Sequence, residues 1–429
     1  MTRQNRRRFL KGAGATGLAL GLSGCVGELE SYMSSGGPDP DGNGNDSSSQ
    51  TDEPTQTADG ESGEVVEDFA NGVDDWYELD SYGSFEATND VQNGEQGIRL
   101  TAGEDEPYVG AVKAFSEPVD LRGKTLSLSL RASSPQIHRV EVELIAPDQG
   151  NTLELNRTNT GPTDYWMTLD MGATGERDNP DLGEVYELRL IGRERSQGQP
   201  IDMTIDEIRV HDAPDTGKVM LTWDDSHQSH ARALEIMDEY GFAGVEGVIT
   251  HAVGSVSRLD TDQLRQMNSS GWDVVSHPHP RGNGSAVLTE ENWSESEQRQ
   301  IIEDSKNWLE TRGFGDGANY YIAPGKLRDA TNMELLREYH AASISYGGGN
   351  VGLPVNDPHT VGRVDGYDPE TLKGYVDLAE KYGQLVAPMW HTIGDNSEEF
   401  DITEDGFRDL LDYVESADVE VVTLSELTG

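Results

Sequence analysis

The sequence predicts a multidomain chain: an all-β sandwich followed by a parallel α/β domain of the β/α-barrel kind. Three observations predict it. From residue 63 to about 213, apolar and polar residues alternate in short segments separated by Gly, Asn, Asp and Pro clusters. From 214 to 429 the pattern changes to short apolar runs alternating with amphipathic helices, which indicates a parallel sheet, either a barrel or a doubly wound one. Acids and histidines fall at the ends of those runs, and the C-terminal rim of its strands is where a barrel carries its chemistry.

The bulk numbers limit what the chain can be. At 429 residues it has room for about two or three domains. Its 79 acids against 32 bases give a net charge of −47. Acid-rich disorder has few aromatics, whereas seven Trp and fifteen Tyr require packed cores. The reading is a folded protein with the carboxylate-coated surface of a halophile. Such a surface repels nucleic acid and anionic membranes, which excludes both as direct partners.

Taken in order, Arg6-Arg7-Arg8-Phe9-Leu10-Lys11 resembles a twin-arginine export signal. The apolar stretch after it, Ala15 to Leu22, is too short to span a bilayer. Leu22-Ser23-Gly24-Cys25 resembles a lipobox, which implies that Cys25 is lipidated and becomes the mature N-terminus. Residues 1–25 are thus expected to be a signal peptide. The protein would sit at the cell surface on the outer face of the cytoplasmic membrane, touching it only through the lipid. As the one cysteine, Cys25 also excludes an intrachain disulfide. Residues 26–62, rich in Gly, Ser, Asp, Asn, Pro and Thr, read as a solvated tether.

In the β region, period-two strands are expected at 97–102, 126–130, 140–144, 186–191 and 201–205. Phe69-Ala-Asn-Gly-Val-Asp-Asp-Trp76 near its start and Ile205-Asp-Glu-Ile-Arg-Val210 near its end resemble phrases of galactose-binding-like, carbohydrate-binding jelly-roll modules. A sandwich that only spaces would read the same way.

In the α/β region, helices are expected at about 228–241, 261–270, 295–312, 331–341, 369–382 and 404–416. Asp368 before Pro369 is an N-cap followed by a favoured first-turn proline. Strands are expected near 218–223, 244–250, 273–276, 319–323, 341–345, 384–389 and 419–423. The composition shift near Thr216 reads as a boundary, so 214–429 is expected to fold alone in high salt.

The chemistry is organised around Lys218-Val-Met-Leu-Thr-Trp-Asp-Asp-Ser226, a buried strand ending in Asp224 and Asp225. Adjacent carboxylates repel, so one is expected to face a cation or to hold a raised pKa. Alone, the pair could be a turn. It is joined by Ser276-His-Pro-His-Pro280 and by Pro388-Met-Trp-His391.

Together these residues resemble the polysaccharide deacetylases, the NodB-homology domain or carbohydrate esterase family four, over roughly 215–427. Thr222-Trp223-Asp224-Asp225-Ser226 is similar to the family's T-F-D-D-G, Gly271-Trp-Asp-Val-Val-Ser-His277 to its G-x-E-I-G-x-H, and Met389-Trp390-His391 to its L-x-H. The resemblance implies a distorted β/α barrel, with Asp224 as catalytic base, Asp225 and His277 as metal ligands, and His391 as general acid. The family's second histidine falls four residues after the first, where this chain has Arg281, and His279 is the nearest substitute. His227, His230 and His251 are reserve ligands. The family's R-x-P-x-G survives only as Tyr321-Ile-Ala-Pro324-Gly325, without its arginine, and Ser226 replaces the usual glycine. No aspartate partner for His391 stands out beyond Asp365.

The implied chemistry is hydrolysis of an acetyl group assisted by Zn²⁺ or another divalent metal. The backbone N–H near Gly325 would stabilise the oxyanion. Tyr321 and Trp390 are candidates to stack on sugar, or else to pack in the core, and Trp223 is expected in the core. Two other functions compete: a metal-dependent amidase acting on a non-sugar C–N bond, and a catalytically weakened surface glycan-binding protein.

Overall fold

The structure, a computed structural model, describes residues 63–195, 198–282, 284–394 and 400–429. The export signal, Cys25 and the tether lie outside the described residues. No helix among those described is long and apolar enough to cross a membrane.

The first region is two antiparallel sheets. One runs Ser84–Thr88, Gly97–Ala102, Ile201–Asp212, Lys124–Ser134, Met167–Met171, with Glu64–Glu67 also paired to Ile201–Asp212. The other runs Ala173–Arg177, Thr152–Asn159, His138–Ile145, Val185–Glu194, Tyr108–Val119, Trp76–Glu78. The alternation read from sequence explains the shared core. Ile98, Leu100, Leu128, Leu130, Val140, Val142, Leu190 and Ile205 all point inward. A bulge between Ile205 and Ile208 turns both inward and frees Asp206 to accept from the Gln92 and Asn93 amides (2.9 and 2.5 Å). Phe69 and Trp76 close one end, their ring centres 5.6 Å apart.

The second region is a closed barrel of parallel strands in sequence order: Thr222–Trp223, Val245–Val248, Asp273–Ser276, Tyr320–Ile322, Ala342–Tyr346, Val361–Asp365 and Pro388–Trp390. Among the described residues seven helices stand outside it, at His230–Tyr240, Thr261–Ser269, Glu295–Glu310, Ala330–Tyr339, Pro369–Tyr382, Glu404–Ser416 and Leu424–Thr428. Their starts follow from local chemistry. Asp260 and Gln263 form a capping box, and Asp329 and Thr403 cap with their side chains.

The strand pattern departs from the sequence reading in three places. The run expected at 218–223 splits, because Gly217–Val219 belongs to a small parallel sheet with Leu385–Val386 and Val419–Val421 and only Thr222–Trp223 enters the barrel. The run at 384–389 splits in the same way, and the last strand stays outside. Val361–Asp365, which the sequence reading left without a strand, is the sixth barrel strand. Its apolar residues, Val361 and Val364, fit neither period two nor a continuous run, so the pattern was silent.

Sandwich and barrel share a buried interface, which the expected boundary did not anticipate. Met171 bridges to Val351, which bridges in turn to Leu385. Thr125 Oγ1 donates to Leu353 O (2.6 Å), Arg157 Nη2 to Thr360 O (2.7 Å), and the Ala173 amide to Gln384 Oε1 (2.8 Å). Asp170 accepts from the Asn356 amide and side chain (2.9 and 2.6 Å), and burial lifts its pKa to about 7. Two glycines make the approach possible. A Cβ on Gly172 would lie 2.3 Å from Asn350 C and O, and one on Gly161 2.3 Å from Arg328 O.

Candidate active site

The site is built where the first, third, sixth and seventh barrel strands end. The first strand delivers Asp224 and Asp225 by an unusual turn: Asp225 (φ 75°) and Ser226 (φ 54°) are both left-handed. Each non-glycine residue in that region costs about 1–2 kcal/mol. The turn persists because it is held. The Leu259 amide donates to Ser226 O (2.8 Å), Ser226 Oγ to Gly247 O (3.3 Å), and Arg258 Nη1 to Asp225 O (2.8 Å). Ser226 therefore keeps a left-handed backbone at a local cost.

The held turn points the Asp225 carboxylate at two imidazoles. Its Oδ1 lies 3.2 Å from His277 Nε2 and 3.7 Å from His279 Nε2, and the two nitrogens are 3.3 Å apart. Pro278 and Pro280 keep the segment extended, and side chains two apart then leave on the same side. Within the described residues this is the one group of three or more such side chains able to hold an ion, with all ligand atoms within 4.8 Å of one another. His277 Nδ1 donates to Ile322 O (3.0 Å), which leaves the Nε2 lone pair facing Asp225. Burial, reinforced by His277, pushes the pKa of His279 down to about 3, so it is neutral and able to ligate. Burial opposes ionisation of Asp225, but its contacts with His277 and then His279 hold it well below the usual carboxylate range. One carboxylate and two imidazoles on one side fit a divalent cation and leave positions open for water and substrate.

Asp224 points elsewhere. Arg363, from the sixth strand, grips it with two hydrogen bonds, Nη1 to Oδ1 at 2.7 Å and Nη2 to Oδ2 at 2.9 Å. Both side chains are buried. Burial raises the Asp224 pKa, but Arg363 and then His277 outweigh it and the net shift is downward. Thr222 Oγ1 completes the set, donating to Pro388 O (2.8 Å) and accepting from Arg363 Nη1 (3.2 Å). Arg363 lies on the strand the sequence reading missed. An isolated Arg between Gly362 and Val364 carries no motif, and only counting strands against helices would have drawn attention to it.

His391 follows the seventh strand. Its amide donates to Phe400 O (2.8 Å), and its ring meets Phe400 edge-on at 5.0 Å. His230, one of the reserve ligands, is spent beneath it. Nε2 donates to His391 O (2.8 Å), and Nδ1 bonds Glu246 Oε2 (2.9 Å). His227 bonds Ser229 Oγ, and His251 sits on the turn Thr250–Ala252. Neither joins the three ligand atoms. Gly325 follows the fourth strand with φ 70°.

Two stacking candidates need correction. Tyr321 is buried against Leu288, Ile302 and Met333, behind the fourth strand rather than at the mouth. Trp390 packs on Trp223 (5.0 Å) and Phe407 (5.4 Å), and its Nε1 donates to Gly366 O (2.6 Å). Both alternate outward from the barrel, so their rings fill the layer between strands and helices. At the mouth the aromatics are Tyr346, Phe400 and, 55% exposed, Tyr367.

The polysaccharide deacetylase family model matches residues 211–343. No curated protein matches the chain. Among solved structures the chain is similar to a family 4 acetyl xylan esterase from Clostridium thermocellum in complex with a cobalt ion, at 18% identity over 49% of this chain and 89% of that one, TM-score 0.35. It is similar to a family 11 carbohydrate-binding module, also from Clostridium thermocellum, at 14% identity over 34% of this chain and 93% of that one, TM-score 0.26. An exo-beta-agarase is similar at 12% identity over 41% of this chain, TM-score 0.29, and the chain spans only 31% of it. The assignment rests on the family model: residues 211–343 lie in a polysaccharide deacetylase domain, a hydrolase domain for acetyl amide or ester bonds.

Proposed function

We propose that the protein removes N- or O-acetyl groups from extracellular or cell-surface polysaccharide, using a divalent metal, Zn²⁺ by preference, held by Asp225, His277 and His279. The observation that carries the reading is the convergence of these three ligand atoms beside a second carboxylate fixed by an arginine. When bound, the metal supplies Lewis acidity and a water of lowered pKa.

The chain's own residues supply the rest. Asp224 takes the proton of the attacking water. The Arg363 fork fixes its orientation and keeps it ionised, and each carboxylate oxygen retains a lone pair to accept with. A backbone N–H at the Pro324–Gly325 turn faces the developing oxyanion. His391, its main chain fixed by His230 and Phe400, hands a proton to the leaving amine or alcohol.

Export by the twin-arginine route and a lipid on Cys25 would place this chemistry outside the cell, with residues 26–62 as tether. The carboxylate surface would suit high salt. The jelly-roll-like sandwich would hold glycan next to the barrel.

The test is metal analysis of the purified full chain, followed by acetate release from acetylated xylo-oligosaccharides, chito-oligosaccharides and oligouronates. Asp224→Asn should keep the metal and lose acetate release. Bound metal without release from any acetylated sugar would favour an amidase of non-sugar C–N bonds. Neither metal nor release would leave a glycan-binding protein.

A further inference from the structure

A line of contacts leads from the catalytic mouth to the sandwich. His391 stacks edge-on to Phe400 at 5.0 Å. Lys326, just past Gly325, places its Nζ 5.2 Å from the Phe400 ring centre and 5.1 Å from that of Tyr346. Tyr346 ends the fifth barrel strand. Its hydroxyl reaches Gly348, where an added Cβ would lie 3.7 Å from it and 3.1 Å from Thr158 Oγ1 of the sandwich. Gly349 comes closer still, where an added Cβ would lie 2.5 Å from Thr174 Cγ2 and 2.8 Å from Asn156 O of the same sheet. Burial, and after it the nearby Asp365 carboxylate, push the Tyr346 hydroxyl up to about 12, against the pull of Arg195 and Arg139 of the sandwich.

Lys326 is exceptional among the described lysines. With 79 acids against 32 bases, cations are scarce and normally taken. Among the described residues, Lys113, Lys124, Lys218, Lys306, Lys373 and Lys381 are all ion-paired. Lys326 has no carboxylate partner among them and is held only by two ring faces. The rings fix its position without neutralising it. Arg195 is exposed and likewise forms no ion pair among the described residues.

We propose that Lys326, flanked by Tyr346 and Phe400 and continued by Arg195, is a subsite for the carboxylate of an acidic sugar, so that the substrate is an acetylated polysaccharide containing uronic acid. This rests on the deacetylase reading above. A surface of net charge −47 repels a polyanion unless cations are set where the chain must dock. The aromatic flanks suit a sugar ring beside the carboxylate, and a charged hydrogen bond selects acid over neutral sugar. The polymer would run from His391 along Tyr346 toward the sandwich.

The experiment uses the full chain and two probes, an acetylated oligogalacturonate and an acetylated xylo-oligosaccharide. Binding is measured by calorimetry and turnover by acetate release. Wild type should prefer the uronate. Lys326→Gln should raise Kd and KM for it about ten-fold or more, the scale of one lost charged hydrogen bond, while changing the neutral probe less than about two-fold. Lys326→Arg should restore most of the preference, and Arg195→Gln should weaken it without touching the barrel. Equal effects on both probes, no effect, or a wild-type preference for the neutral probe would overturn the subsite. Acetate release that is insensitive to Lys326 rejects the subsite and leaves the activity standing. Lys326-dependent uronate binding without any release does the reverse.

Discussion

Replacing Arg363 by Met tests the hidden half of the site. In the native protein Asp224 and Arg363 are 4% and 2% exposed and joined by two short hydrogen bonds, 2.7 and 2.9 Å. Methionine removes the charge and both donors but keeps most of the volume, so no large cavity accompanies the change. What remains is a buried carboxylate without its cation. Breaking a buried pair from one side costs about 3–5 kcal/mol, whereas replacing both partners by apolar residues is about neutral. Arg363→Met should therefore lose about 3–5 kcal/mol, and Asp224→Leu/Arg363→Met should recover at least half of it. The pH dependence has a definite sign. The native Asp224 pKa is depressed, so its stabilisation is complete above the unfolded value of about 3.9 and is lost as pH falls through the folded value. In Arg363→Met, burial acts unopposed and raises that pKa, so the deficit should be greatest at neutral pH and shrink toward pH 4. The measurement is denaturant unfolding of the full chain with chelator present, so that a bound cation does not stand in for the guanidinium. A single variant within about 1 kcal/mol of wild type, or a double variant as unstable as the two single changes added together, would refute the reasoning.

Asp225→Ala or His277→Ala should abolish stoichiometric metal binding by inductively coupled plasma analysis with the circular dichroism unchanged; full occupancy in either would move the site. His279→Ala should weaken divalent metal at least about ten-fold in a competition titration, while Arg281→Ala leaves it in place, because His279 Nε2 lies 3.7 Å from Asp225 Oδ1 and Arg281 is not one of the three converging residues. Gly172→Val should destabilise by more than about 1–3 kcal/mol and be rescued by no surface change, since its Cβ would sit 2.3 Å from the Asn350 backbone; a normal melting curve would show that the sandwich–barrel interface is looser than it looks. Trp390→Ala should cost about 3–5 kcal/mol of stability, with KM for oligosaccharide unchanged in the surviving folded fraction; a large KM effect at full stability would return the indole to the substrate.

Much of this architecture was determined by sequence alone. The period-two segments required a two-faced β region, because alternate side chains on a strand can only go in or out, and Ile98, Leu128, Val140 and Ile205 did so. The helices were legible from their apolar stripes and caps, since both are local. Asp225, His277 and His279 were legible as a group because each sits where an apolar run ends, and strand direction then carries them to one rim. Tertiary structure decided the rest. Whether two histidines spaced by a proline meet one carboxylate depended on the left-handed turn at Asp225 and Ser226, which no propensity predicts for those residues. Arg363 was invisible because a charge becomes informative only opposite its partner, and its partner lies on another strand. Tyr321 and Trp390 were ambiguous for the opposite reason. An aromatic at a strand end can face the mouth or the helix layer, and strand alternation around the closed barrel sent both to the helices. Lys326 became notable only when every other described lysine was seen to have an acid beside it, because pairing is a property of neighbours in space and not in sequence.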